Sequence, residues 1–111
     1  EDEMTDRELL ELAALAAGLR VVRWDDARQA FRVLEDSEHR FAFWNPMTDD
    51  GDALRLMVTL GVRCEPMDSW CVAFAGSVCA KQFSERSGND RAAAMRRAIV
   101  RAAAEIGRSM K

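Results

Sequence analysis

Three aspartates in one short segment have the types and spacing that could bind a cation. Asp49, Asp50 and Asp52 fall within four positions, at the start of a predicted helix. Clustered carboxylates are ligands of Ca²⁺ and Mg²⁺, but a helix–loop–helix calcium site counted from Asp49 would need a glutamate at its twelfth position, which is Leu60. Carboxylates at a helix N-terminus also cap backbone N–H groups and stabilise the helix dipole. We therefore interpret them as capping residues and predict no metal site, with cation binding as the alternative.

The segment that precedes these aspartates is Trp44-Asn45-Pro46. Pro46 restricts Asn45 to extended backbone, which indicates a rigid turn after a strand. Trp44 either closes the core at the end of that strand or covers a ligand pocket or a partner surface, and we favour the core. The residues that would form such a partner or ligand surface are Trp44, Asn45, Asp49 and Asp50.

A basic stripe follows the C-terminal helix that the sequence predicts. At 100° per residue, Arg97, Arg101 and Arg108 lie near one another on one side of this helix. Aligned arginines could contact the phosphates of a nucleic acid. The alternative is a solvated face with its cations towards the helix C-terminus, where the dipole favours them. We favour the solvated face and keep nucleic-acid contact as a second hypothesis.

The sequence contains little that would support catalysis. It has no phosphate-cradling glycine loop, no dinucleotide fingerprint and no GxSxG motif. His39 is the only histidine, and Cys64, Cys71 and Cys79 do not form a CxxC pair. An odd number of cysteines without a visible secretory signal favours reduced thiols in the cytoplasm. We predict no catalytic residue, no cofactor and no enzyme activity.

Length and composition predict one domain over residues 1–111, because 49% apolar residues suffice for a core without metal or disulfide staples. No apolar run approaches the roughly 20 residues of a membrane span. Met4 resembles a natural start, so residues 1–3 would be a leader or expression remnant. The net charge is −3, and the charged residues are unevenly distributed along the chain. Residues 1–55 hold 14 acidic and 7 basic side chains, whereas residues 56–111 hold 5 acidic and 9 basic side chains. This polarity favours self-association or one basic contact face.

Capping signals and periodicity predict the elements that position these residues. Three helices are expected. The first covers residues 5–17, with a capping box from Thr5 to Glu8 and an end at Gly18. The second begins at Thr48 or Asp49 and ends at Gly61, and the third runs from Asn89 or Asp90 to about residue 106 and ends at Gly107. Strands are expected at 19–24, 31–34, 41–44, 62–64, 70–75 and 78–83. The second helix is apolar around most of its circumference, which predicts that it is the most deeply buried of the three helices.

Consecutive strands with short turns imply antiparallel pairing. The predicted fold is therefore α+β, a three-layer α/β/α sandwich with a largely antiparallel central sheet of five or six strands and helices on both faces.

Three blocks of sequence resemble a known family. Residues 4–13, the segment from Trp44 to Leu56 and the segment from Arg91 to Gly107 are similar to the phage ABA sandwich domain family of small phage and prophage proteins. The resemblance touches both ends and the middle of the chain. It implies helices on both faces of a central sheet and supplies no established activity and no catalytic residue.

Together these observations predict a small phage or prophage accessory protein in the cytoplasm of a bacterial host. It would act as a non-catalytic protein-binding or self-associating module, with an unidentified protein partner or a second copy. The alternative is a nucleic-acid-binding protein that uses the basic face of its C-terminal helix. No membrane association is expected.

Overall fold

The computed structural model describes residues 4–34, 41–76 and 81–111. These residues form three helices and six strands. The helices are α1 (Asp6–Ala17), α2 (Asp50–Leu60) and α3 (Arg91–Ser109). The strands are β1 (Arg20–Asp25), β2 (Ala30–Leu34), β3 (Phe41–Trp44), β4 (Arg63–Pro66), β5 (Trp70–Ala75) and β6 (Lys81–Arg86). The predicted strand at 78–83 therefore corresponds to β6, and its first residues lie outside the described part of the chain.

The first helix begins and ends where local sequence chemistry predicts. The Thr5 hydroxyl accepts the Glu8 N–H, and the Glu8 carboxylate accepts the Thr5 N–H, so the capping box is complete. Gly18 adopts a left-handed conformation with φ 76° and ends the helix, as glycine does without steric cost. Both termini of α1 are thus confirmed.

The second helix begins and ends as predicted, but it is less buried than predicted. Asp49 is the N-cap, and Gly61 ends α2 in a left-handed conformation. Our expectation of the deepest packing is wrong, because Leu54 and Val58 are 57% and 67% exposed. Apolar residues surround this helix in the sequence, yet only one side of it, around Leu56, meets the core.

The six strands form two antiparallel sheets of three. Sheet A has the order β1-β2-β3, and sheet B has the order β4-β5-β6. In sheet A, Phe31 pairs with Trp44 and Val33 with Ala42, and these side chains face the core. A register shift between Val21 and Arg23 leaves Val22 as a bulge in β1.

Helix α3 packs on sheet B and against α1 and α2. Its Ala98 and Ala102 pack against Ala73 of sheet B, whereas Ile99 and Val100 join the larger core that contains α1 and sheet A. The α+β sandwich with three helices and antiparallel strands is confirmed. The strands form two sheets instead of the one central sheet that we expected, because each group of three strands pairs only within itself. Helix α3 packs on sheet B, whereas sheet A shares the larger core with all three helices.

Gly107 permits the packing of α3 against α1. We expected it to end the third helix, and this is wrong: α3 continues to Ser109, with Gly107 buried within it. A Cβ atom at Gly107 would overlap the backbone carbonyl of Leu12 in α1. The glycine is therefore required by the close approach of two helices and not by the end of one.

Gly107→Ala should destabilise the protein by about 1–3 kcal/mol, because the added methyl group forces the α1 and α3 backbones apart. Gly51→Ala is the matched control, since the atoms nearest to its Cβ belong to the side chains of Asp49 and Arg55 and not to the backbone of another helix. We expect that control to change the free energy of unfolding by less than about 1 kcal/mol or to stabilise α2. Urea unfolding followed by circular dichroism measures both, and equal values would contradict the tight helix contact.

Candidate functional site

The basic stripe of α3 lies against acidic neighbours. Arg97 donates to the Asp6 carboxylate at 2.9 Å. Arg101 donates to the Glu85 carboxylate at 2.6 Å and to the Ser84 carbonyl at 3.0 Å. Arg108 is exposed, and all three arginines line a cavity of about 400 Å³ together with Glu85. A phosphate at this face would compete with intramolecular carboxylates for two of the three guanidinium groups.

The aspartates at the start of α2 all have intramolecular partners. Asp49 accepts the Asp52 N–H at 2.8 Å and caps the helix. Asp50 forms an ion pair with Arg96 at 2.6 Å, and Asp52 forms one with Arg55 at 2.8 Å. The capping interpretation is confirmed for Asp49, and Asp50 and Asp52 lie in the first turn of the helix. The described residues contain no group of three or more His, Cys, Asp or Glu side chains that is arranged to hold a metal ion.

Asn45 connects three parts of the chain. Its side-chain amide donates to the Gln29 carbonyl, in the turn between β1 and β2. Its side-chain oxygen accepts the Met47 N–H at 2.8 Å, and its backbone N–H donates to the Asp52 carboxylate at 3.0 Å. Gln29 has a φ of 51°, unusual for a residue with a Cβ, and the bond from Asn45 helps to hold it there. Asn45 is buried, so its role is to hold these three parts of the chain together and not to contact a partner directly.

A groove of about 290 Å³ runs beside β3, between this strand and α2. One side is formed by Ala42 and Trp44, and the other by Leu56 and Thr59. The residues that complete its lining are Ala17, Leu19, Val33, Phe43, Asp52 and Arg55. Trp44 itself is buried, as we expected, and it also lines this groove. Asp49 and Asp50 do not line it.

The backbone of β3 faces this groove with its unpaired side. β3 is the last strand of sheet A, so one of its edges has no neighbouring strand within the part of the chain that the structure describes. The N–H of Asn45 points from that edge towards Asp52 of α2. Because backbone groups alternate in direction along a strand, the N–H and C=O groups of Phe43 and Phe41 point the same way. The site thus combines an apolar groove with a hydrogen-bonding edge.

Sequence reasoning did not find this groove. Its lining comes from the end of α1, from sheet A and from α2, which are far apart in the chain. The signals that were available are the short strand Phe41–Trp44 and the helix that follows it, but neither indicates that the two elements leave a space between them.

The described thiols are those of Cys64 and Cys71. Cys71 is buried, and its Sγ lies 3.5 Å from the carbonyl oxygen of Arg91. Partial burial raises the pKa of the Cys64 thiol, because desolvation disfavours the thiolate. A reactive cysteine shows the opposite shift. His39 and Cys79 lie outside the described residues.

Comparison of the chain with protein-family models, with curated proteins and with solved structures finds no match. Among the described residues, no helix combines the length and the hydrophobicity that crossing a membrane requires.

The Asp52 carboxylate should contribute more to stability than the neighbouring Asp50. Asp52→Ala leaves the buried N–H of Asn45 without its acceptor, and we expect a loss of about 1–3 kcal/mol. Asp50→Ala removes an ion pair whose carboxylate is exposed, and we expect a loss below about 1 kcal/mol. Urea unfolding of both variants checks the order, and an equal or larger effect at Asp50 would contradict it.

Proposed function

We propose that this protein is a non-catalytic protein-binding module that accepts an extended segment of a partner protein along the β3 edge. The observation that carries the proposal is the unpaired edge of β3 beside the groove lined by α2. Strand addition of this kind takes its affinity from main-chain hydrogen bonds and its specificity from alternate side chains.

The geometry indicates how such a segment would bind. Its backbone would pair with the N–H and C=O groups of Phe41 and Phe43. Every second side chain would point into the groove, towards Ala42 and Leu56. Since these residues are apolar, the segment should carry apolar side chains at alternating positions.

The charged groups in the groove wall do not favour a partner segment of either net charge. Asp52 and Arg55 are joined by a 2.8 Å ion pair at its wall, so their charges offset each other. The groove therefore offers shape and apolar contact more than net charge. This supports recognition of a polypeptide backbone over recognition of a charged small molecule.

Self-association is the second candidate, and a different observation favours it. Leu54 and Val58 are exposed and one helical turn apart on α2. A second copy could cover this pair, in agreement with the charge polarity between the two halves of the chain. Nucleic-acid contact through Arg97 and Arg101 is less favoured, because both already pair with carboxylates.

The resemblance to the phage ABA sandwich domain family remains a proposal that rests on the sequence blocks alone. On that resemblance we propose a phage or prophage accessory role in the cytoplasm of a bacterial host. The absence of an activated thiol among the described cysteines supports a non-catalytic role.

Selection from a display library of random peptides tests the groove. We expect enriched peptides with apolar side chains at alternating positions. Thr59→Trp places a large ring in the groove and should weaken their binding at least tenfold, whereas Thr59→Ala, at the same exposed position, should leave binding within about twofold. Fluorescence anisotropy with the selected peptides measures both variants.

Failure to enrich any peptide, or equal binding by wild type and Thr59→Trp, would contradict the groove as the site. Thermal unfolding of Thr59→Trp confirms that the variant is folded before binding is measured.

Sedimentation velocity tests the self-association candidate. If α2 mediates a dimer, wild type should show a concentration-dependent shift to twice the monomer mass. Val58→Asp should abolish that shift, because it would bury an unpaired carboxylate in the interface. A wild-type protein that stays monomeric at high micromolar concentration would rule this candidate out.

A further inference from the structure

The outward face of sheet A carries arginines beside exposed phenylalanines. Because Phe31 and Val33 point into the core, their alternate neighbours along the paired strands point outward. This outer face of sheet A is formed by Arg20 and Arg23 of β1, Arg32 and Leu34 of β2, and Phe41 and Phe43 of β3. Arg28, in the turn between β1 and β2, joins them through its contact with Phe43.

Two aromatic side chains are exposed on this face. Phe41 and Phe43 are 49% and 43% exposed. They are two residues apart on the same side of β3, which separates them by about 7 Å. Exposed phenylalanines side by side on a sheet are a costly arrangement for a surface that only meets water.

The face is also locally basic in an acidic protein. Four arginines, Arg20, Arg23, Arg28 and Arg32, lie on or beside it, and Arg28 lies 3.9 Å from the Asp25 carboxylate. The outer face of sheet B has two arginines, each over an aromatic ring: Arg63 over Phe74 and Arg86 over Trp70. It carries fewer arginines than the outer face of sheet A, and Glu65 lies 3.9 Å from Arg63.

We propose that the outer face of sheet A binds single-stranded nucleic acid. The arginines would contact phosphates, and successive bases would stack on Phe41 and Phe43. Single-stranded binding surfaces combine positive charge with aromatic platforms in this way, because every base has a face that can stack. An acidic peptide would satisfy the charge but would leave both aromatic rings without a matching partner.

The arginines already lie over the rings. The Arg28 guanidinium is 4.3 Å from the centre of the Phe43 ring, and that of Arg32 is 4.7 Å from the centre of Phe41. A base can stack on the outer side of the guanidinium plane or replace it on the ring. In both cases the cation stays beside the nucleotide, within reach of its phosphate.

A flat or convex sheet face suits a single strand better than a duplex. Bases in a duplex are stacked on each other and cannot reach the two rings, whereas an unpaired strand can turn them outward. The outer face adjoins the groove at Phe43, which also belongs to the groove lining. Thr59 lines the groove and does not belong to the outer face of sheet A. The two sites can therefore be tested separately.

Fluorescence anisotropy with fluorescein-labelled 12-mers of thymidine and of uridine tests the proposal. We expect binding at low ionic strength, with a log–log salt slope of about −2 to −3 if three or four phosphates are contacted. Phe41→Ala/Phe43→Ala should weaken binding by about 30-fold or more, because two stacking platforms are lost and each contributes about 5- to 150-fold. Arg23→Ala should weaken it as well and reduce the salt slope by about one.

Phe74→Ala is the matched control. Arg63 lies 4.3 Å from the Phe74 ring, the same separation as Arg28 from Phe43, but on sheet B. It should change oligonucleotide affinity by less than about twofold, and Thr59→Trp should also leave it unchanged. Fluorescent heparin, a polyanion without bases, should bind with no dependence on Phe41 and Phe43.

Three results would overturn the proposal: no oligonucleotide binding by wild type at low salt, binding that does not change in the double phenylalanine variant, and a stronger loss in Phe74→Ala than in that variant. Thermal unfolding of each variant excludes a loss of fold as the cause. Because Thr59→Trp affects only the groove, failure of peptide binding and failure of oligonucleotide binding are separate outcomes.

Discussion

The close contact of α3 with α1 is the constraint on which the rest of the structure depends. Gly107 has no side chain at the point where α3 meets the Leu12 carbonyl of α1, and neighbouring alanines keep α3 narrow along its length. A helix with larger residues would stand further from α1 and could not also contact Ala73 of sheet B. These small residues therefore set the distance of α3 both from α1 and from sheet B. Packing at native density is sensitive to a single methyl group in such a place.

A second interaction sets the geometry of the candidate groove. The Asn45 N–H donates to the Asp52 carboxylate, and this bond holds the end of β3 against the first turn of α2. Beyond that point the strand and the helix diverge, and the groove opens between Ala42 and Thr59. The segment from Trp44 to Asp52, which has the most distinctive sequence, thus fixes the position of the strand and the helix at one end of the groove. The residues that line the groove are mostly apolar and form no recognisable motif. Distinctive residues hold the two walls in place, and apolar residues form them.

Local chemistry explains how much could be predicted from the sequence. The caps at Thr5 and Asp49 and the left-handed glycines Gly18 and Gly61 act within a few residues, so they were predictable. The division into two sheets, the exposure of Val58 and the role of Gly107 depend on contacts between distant segments. Gly107 shows the difference most clearly. A glycine near a helix end favours a C-terminal cap on local grounds, but here its missing side chain admits another helix. The candidate groove was not predictable for the same reason.

The two proposed sites meet on one short strand and use different parts of it. In β3 the side chains of Ala42 and Trp44 face inward, those of Phe41 and Phe43 face outward, and the backbone edge of the two phenylalanines faces α2. An extended segment added at that edge would become a fourth strand of sheet A and would widen the face on which the phenylalanines lie. A partner with basic or aromatic side chains on its outward positions would then extend the nucleotide-binding surface, whereas an acidic one would repel phosphates from it. The shared strand therefore provides a physical route by which occupancy of the groove would change affinity at the outer face without any movement of the core.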